Sequence, residues 1–133
     1  MNAPHELVVI LDFGSQYTQL IARRVRELGV FCEVLPFHAG GDAVRARRPK
    51  GIVLSGGPQS VYGEEAVPFN TDVLTLGRPL LGLCYGHQVL AHHLGGQVRH
   101  LEHGEFGKTA LRLLPPPAAR ATAGTLLEGV PFD

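Results

Sequence analysis

The chain has 133 residues, 44% of them hydrophobic at a mean hydropathy of +0.08, which suits one domain with a packed core. Twelve basic and twelve acidic side chains balance to zero formal charge and an isoelectric point near 7.1, which argues against an electrostatic nucleic-acid binder or a basic membrane-surface protein. No apolar run nears the ~20 residues that span a bilayer, the N-terminus lacks signal-peptide features, and two cysteines are too few for a disulfide framework, so a reduced, cytoplasmic setting is expected.

Leu7, Val8, Val9, Ile10 and Leu11 form a continuous apolar run, the pattern of a strand buried on both faces. The turn Asp12-Phe13-Gly14-Ser15-Gln16 follows. Tyr17, Leu20, Ile21, Val25 and Leu28 then recur at helical spacing, with Arg23, Arg26 and Glu27 on the other side and Gly29 placed to cap the helix. Residues 30–35 predict a second strand, with Cys32 in the core. Residues 43–47 predict a short helix stopped by Pro49. Residues 51–54 predict a third strand, ending at Ser55-Gly56-Gly57-Pro58. Residues 72–76 predict one or two helical turns, and residues 80–83 a fourth strand. The helix after it, read over 89–94, is closed by Gly95-Gly96. Residues 97–101 and 109–113 predict further, antiparallel strands, and Pro115-Pro116-Pro117 an exposed loop. This alternation implies an α/β fold, an open, mostly parallel sheet with helices on both faces. Ligands bind such sheets at the carboxyl ends of the strands, where the turns after Leu11, Leu54 and Leu83 converge. No internal repeat and no linker to a second domain interrupts residues 1–133.

The segment Gly82-Leu83-Cys84-Tyr85-Gly86-His87-Gln88 carries the chemistry. A thiol at a strand-to-helix corner, with glycine two residues to either side, is a nucleophile elbow. The glycines are expected where a crowded corner needs unusual backbone angles. The helix start favours the thiolate of Cys84, and its N–H groups can receive a developing oxyanion. A buried structural cysteine is the ordinary alternative, and the flanking glycines argue against it here.

With Ser55-Gly56-Gly57-Pro58 upstream, this elbow resembles the class I, triad-type glutamine amidotransferases. The opening from Ile10-Leu11-Asp12-Phe13-Gly14-Ser15-Gln16 through Glu27 is similar to that of the GMP synthase branch of that family, as are Ser60-Val61-Tyr62 and Glu105-Phe106-Gly107-Lys108. The resemblance implies a flavodoxin-like fold. It makes Cys84 the nucleophile that attacks the side-chain amide of L-glutamine. It makes Gly57 and Tyr85 the backbone donors of the oxyanion hole, and Gly56 and Gln88 residues that hold the substrate. His87 departs from the Met common in GMP synthases, a variant other amidotransferases also carry. The Asp12 to Gln16 turn identifies the family better than it identifies chemistry.

The family triad also needs a His and a Glu from a late His-Pro-Glu type motif. The chain is expected to cover about two-thirds of an amidotransferase domain and to stop before that motif, at Val130-Pro131-Phe132-Asp133. His100-Leu101-Glu102 and His103-Gly104-Glu105 do not replace the dyad, because they follow the elbow helix directly. No cofactor is expected for this chain. ATP and Mg²⁺ are implied for an absent synthetase domain that aminates XMP to GMP, and a dimerisation domain implies homodimers of the longer protein.

Three further patterns read as ordinary. Ser55-Gly56-Gly57-Pro58-Gln59-Ser60 nearly matches a pyrophosphate loop, but Gln59 replaces its acidic residue and Pro58 lacks an N–H donor. Adjacent His92 and His93 point to different helix faces, so no metal site is expected. Arg23, Arg24 and Arg26 read as a wet helix face or a partner-domain contact. Two functional alternatives stay open. One is a truncated, non-catalytic glutamine-binding or partner-docking module. The other is a different cysteine hydrolase on the same fold.

Overall fold

In the computed structural model the described residues are 6–57, 69–99 and 107–110. The chain divides into two compact units, Met1–Arg99 and His100–Asp133. In the first unit four strands, β1 (Leu7–Asp12), β2 (Phe31–Pro36), β3 (Gly51–Leu54) and β4 (Leu80–Gly82), pair in the order β2-β1-β3-β4. All pairings are parallel, with Val8 opposite Cys32 and Gly51, and Leu54 opposite Gly82. Helices α1 (Thr18–Glu27) and α2 (Gly41–Ala46) and a 3-10 turn at Thr71–Thr75 connect them, and α3 (Tyr85–His93) follows β4. The open, parallel α/β sheet read from the sequence is therefore present. Of the second unit, Gly107, Lys108, Thr109 and Ala110 are exposed and irregular.

The sheet is buried on both faces, which is why β1 reads as unbroken apolar sequence. Val9 and Leu11 point to one side with Phe13, Ile52, Leu54, Val73, Tyr85 and Val89. Ile10 and Val53 point to the other, where Ala22 of α1 packs with Ile21, Cys32, Val34 and Leu81. The Cys32 thiol is half-buried and donates to the Ala22 carbonyl oxygen at 3.3 Å.

Several boundaries and faces differ from the sequence reading. Helix α3 begins at Tyr85, directly after Cys84, not at 89, because its first turn carries glycine and histidine and lacks apolar periodicity. Tyr17, Leu20 and Leu28 are exposed on α1, and its buried contacts are Thr18 and Ala22. A small residue fits where a helix crosses close over a sheet. Ile21 packs beside Ala22 and Val25 is half-buried, as the spacing predicts, so apolarity placed part of the face and missed Thr18 and Ala22. Gly29 has φ +79 and its N–H donates to the Arg26 carbonyl at 2.9 Å, the expected left-handed cap. Residues 97–99 and 109–110 form no strand. The rest of those two predicted strands, Pro58, Gln59, Ser60, Val61, Tyr62, both His-x-Glu pairs and the triple proline lie outside the described residues.

Among the described residues no helix is long and apolar enough to cross a membrane, and no group of His, Cys, Asp or Glu is placed to hold a metal ion. Arg24 pairs with Glu27 at 2.9 Å, and Arg26 donates to the Cys32 carbonyl at 3.3 Å, on the exposed side of α1.

Candidate active site

Cys84 sits at the corner between β4 and α3 with φ 55 and ψ −118, one of two non-glycine residues at positive φ among those described. Strain of this kind costs ~1–3 kcal/mol and persists only where surrounding structure enforces it. That structure is backbone. A Cβ on Gly86 would run into the Leu54 carbonyl oxygen and lie 2.6 Å from the Leu54 carbonyl carbon. A Cβ on Gly82 would lie 2.6 Å from the Gly86 carbonyl oxygen. Neither glycine has positive φ. The unusual angle falls on the cysteine itself, and the glycines serve only to let β3, β4 and α3 touch. This corrects the expectation that the glycines supply the angle.

Hydrogen bonds lock the corner. Leu83 N–H donates to the Leu54 carbonyl at 2.9 Å, and Gly86 N–H to Ser55 O at 3.1 Å. His87 and Gln88 N–H groups donate to the Cys84 carbonyl at 3.1 and 3.2 Å. The Gly86, His87 and Gln88 donors of the helix start are thus committed to backbone oxygens, fewer than the sequence expectation left for an anion.

A cavity of about 370 Å³ opens beside Cys84 at the carboxyl edge of the sheet. Gly56, Gly57 and the exposed Cys84 form one part of its wall, and Gly14, Ser15, Gln16 and Tyr17 the other. The loop after β3 lies flat against the thiol. A Cβ on Gly56 would be 2.9 Å from Cys84 Cβ and 3.6 Å from its Sγ. Among the described residues nothing accepts from the Gly57 N–H. Of the five residues singled out from sequence, the cavity gathers Cys84, Gly56 and Gly57. Tyr85 and Gln88 are not on its wall. The Tyr85 side chain is buried and meets Phe13 edge-on at 5.4 Å, and half-buried Gln88 lies one helical turn past Cys84. A second cavity, lined by Arg45, Arg48, Pro49, Leu76 and Arg78, lies at the amino ends of β3 and β4, away from any nucleophile.

The sequence reading missed a polar chain that ties the two loops together. Gly14 N–H and Thr18 O–H donate to one oxygen of Asp12, at 2.8 and 3.0 Å. The Thr18 and Ser55 hydroxyls meet at 3.0 Å, and the Ser55 O–H also reaches the Gly56 carbonyl oxygen at 3.4 Å. Ser55 in turn accepts from Phe13 N–H at 3.4 Å. Thr18 and Ser55 are almost fully buried, so these bonds fix the first turn against the loop after β3. Asp two residues before Gly, and Ser two before Tyr, were the available signals, since both side chains fold back on the following backbone.

His92 and His93 lie on the last turn of α3 with rings 5.3 Å apart, so they touch rather than diverge as expected from sequence. His93 also meets the Phe69 ring at 5.5 Å. Its imidazole is pushed below the ordinary value, first by desolvation and then by neighbouring His92. A base whose folded-state value is lowered binds fewer protons folded than unfolded. Stability is therefore untouched above the ordinary value near 6.5 and is lost as pH falls through it toward the folded-state value. Thermal midpoints of the parent and His93→Gln should coincide at pH 8, and the parent should fall more steeply below pH 6. Parallel curves would remove His93 as a contributor.

The family profile for class-I glutamine amidotransferases matches residues 9–124. The chain belongs to this family. Over 101 residues it is 57% identical to a GMP synthase [glutamine-hydrolyzing] of Wolinella succinogenes, covering 76% of this chain and 19% of that protein. Over 113 residues it is 50% identical to the protein of the same name from Heliobacterium modesticaldum, covering 85% and 22%. The chain thus spans about a fifth of the length of these curated relatives. A solved Thermoplasma acidophilum protein, assigned as a GMP synthase A subunit, superposes with a TM-score of 0.67 at 30% identity, covering 81% of this chain and 54% of that one. The amidotransferase elbow and the Asp12-to-Glu27 opening thus both pointed to the right family.

Proposed function

We propose that this chain is the glutaminase part of a GMP synthase and that Cys84 is its nucleophile. The observation that carries the reading is a backbone-strained thiol on the wall of a cavity, directly beside the Gly56-Gly57 backbone. In this reading Sγ attacks Cδ of L-glutamine, and the carboxamide oxygen takes the electron pair. The Gly57 and Tyr85 N–H groups stabilise that oxygen, each contributing roughly 3 kcal/mol to the transition state. Gly56 and Gln88 hold the substrate. Collapse expels ammonia and leaves a glutamyl thioester, which water hydrolyses to glutamate and free thiol. Ammonia then passes to a synthetase domain or subunit that uses ATP and Mg²⁺ to aminate XMP in purine nucleotide biosynthesis. The glutaminase step itself uses no cofactor. The setting proposed is cytoplasmic, and the whole protein a homodimer.

Cys84 still needs a proton acceptor, the His of the family triad with its Glu. Among the described residues no histidine lines the cavity. The second reading for the chain by itself is a glutamine-binding or docking module with little turnover. Both readings share the pocket. Intact mass after incubation with 6-diazo-5-oxo-L-norleucine, a diazoketone on the glutamine backbone, should show one adduct, blocked by glutamine and absent in Cys84→Ala. Labelling shared equally with Cys32, or indifferent to glutamine, would reject the pocket and leave a different cysteine hydrolase as the better account.

A further inference from the structure

We infer that Ser15 is a substrate-binding residue, its hydroxyl donating a hydrogen bond to an oxygen of the amino acid held beside Cys84. The inference rests on the glutamine reading of the cavity and adds a contact on the wall opposite the thiol.

Ser15 Oγ accepts from the Tyr17 N–H at 3.0 Å, and its carbonyl accepts from Thr18 N–H at 3.3 Å. The first bond fixes the rotamer and occupies one lone pair. It leaves the O–H proton unused, and no acceptor for it exists among the described residues. The hydroxyl is only half-buried and belongs to the cavity wall. Its placement relative to the thiol is close. Ser15 Oγ and Cys84 Sγ lie 3.5 and 3.6 Å from the same point, the position a Cβ on Gly56 would take. The two atoms border the same space, so an amino acid whose side-chain amide meets the sulfur has the length to place another oxygen at this donor.

The donor is also held rigidly in advance. Asp12, Thr18 and Ser55 anchor the turn from below, and Phe13 pins it with ring contacts to Phe37 at 6.1 Å and Tyr85 at 5.4 Å. A pre-positioned donor loses little entropy when it binds, which is how a neutral hydroxyl gains selectivity. Glutamine offers carboxylate and carboxamide oxygens as acceptors.

The test separates donation from turn-making. Ser15→Ala removes both the acceptor for Tyr17 N–H and the donor. Ser15→Asp keeps the acceptor and removes the donor, and Ser15→Thr keeps both. The readouts are kinact and KI for labelling of Cys84 by the diazoketone, the rate of Cys84 alkylation by iodoacetamide, and the thermal midpoint of the full chain. The contact predicts KI raised about tenfold in Ser15→Ala and at least as much in Ser15→Asp. Ser15→Thr should stay near the parent, with kinact and iodoacetamide rates unchanged in Ser15→Ala and Ser15→Thr. A purely structural serine predicts that Asp restores KI as well as Thr does, or that KI follows the midpoint. Either result overturns the inference while the glutamine reading stands. A parent chain that glutamine does not protect overturns both.

Discussion

Replacing Gly86 by alanine should unfold the elbow, lowering stability by about 3 kcal/mol or more and abolishing labelling of Cys84. The single added methyl meets the Leu54 carbonyl oxygen, with the Leu54 carbonyl carbon at 2.6 Å and its Cβ at 2.7 Å. Every one of these atoms is backbone or fixed to it, so no rotamer change relieves the overlap. Leu54 is held in register with Leu11 and Gly82, and its carbonyl already receives the Leu83 N–H. Relief requires α3 to lift off β3, which breaks the Gly86-to-Ser55 bond and opens the packing of buried Tyr85 and Val89. Overpacking commonly costs 1–3 kcal/mol, and rigid backbone puts this site at the upper end or beyond. Gly51→Ala is the control. Its nearest neighbour is the Pro79 carbonyl oxygen at 3.8 Å, ordinary contact, and it should change stability by less than about 0.5 kcal/mol. Urea unfolding of the two variants side by side checks the pair. Equal midpoints would mean that α3 does not sit this close to β3.

The same crowding explains what could be read from the sequence and what could not. The strands were legible because burial on both faces forces uninterrupted apolar runs at 7–11 and 51–54, and a parallel order needs helices between them. The elbow was legible because only glycine fits at 82 and 86, where the backbones of β3, β4 and α3 meet around the cysteine corner. Which residue would bear the strain was not legible, since two glycines beside a cysteine look the same wherever the positive φ falls. The far wall of the cavity was not legible either. Gly14, Ser15, Gln16 and Tyr17 look like any strand-to-helix turn, and their chemistry comes from the 3.0 Å link between Thr18 and Ser55, 37 residues apart in the chain. The exposed face of α1 escaped for a similar reason. Apolar spacing names the residues that could be buried, but Thr18 takes that place through hydrogen bonds to Asp12 and Ser55 that no periodicity records.

The strain at Cys84 makes a second large prediction. Cys84→Gly should eliminate labelling entirely and at the same time make the protein more stable than Cys84→Ala. At φ 55 and ψ −118 a side-chain Cβ is crowded by its own backbone, and both cysteine and alanine carry that cost. Glycine removes it. Glycine also gives the unfolded chain more freedom, a loss of roughly 0.5–1 kcal/mol that offsets part of the ~1–3 kcal/mol relieved. The net expectation is about 1 kcal/mol in favour of glycine, a midpoint shift of roughly 4 °C for a chain of this size. Alanine removes the sulfur and keeps the Cβ, so the Ala-to-Gly difference isolates the backbone term from any contact the thiol makes. A more stable Cys84→Gly would show that this fold gives up stability to present sulfur to the cavity, as functional sites do when strain aims a reactive group. A Cys84→Gly no more stable than Cys84→Ala would mean that the backbone at the corner relaxes freely. The left-handed geometry would then not be what holds the thiol against Gly56.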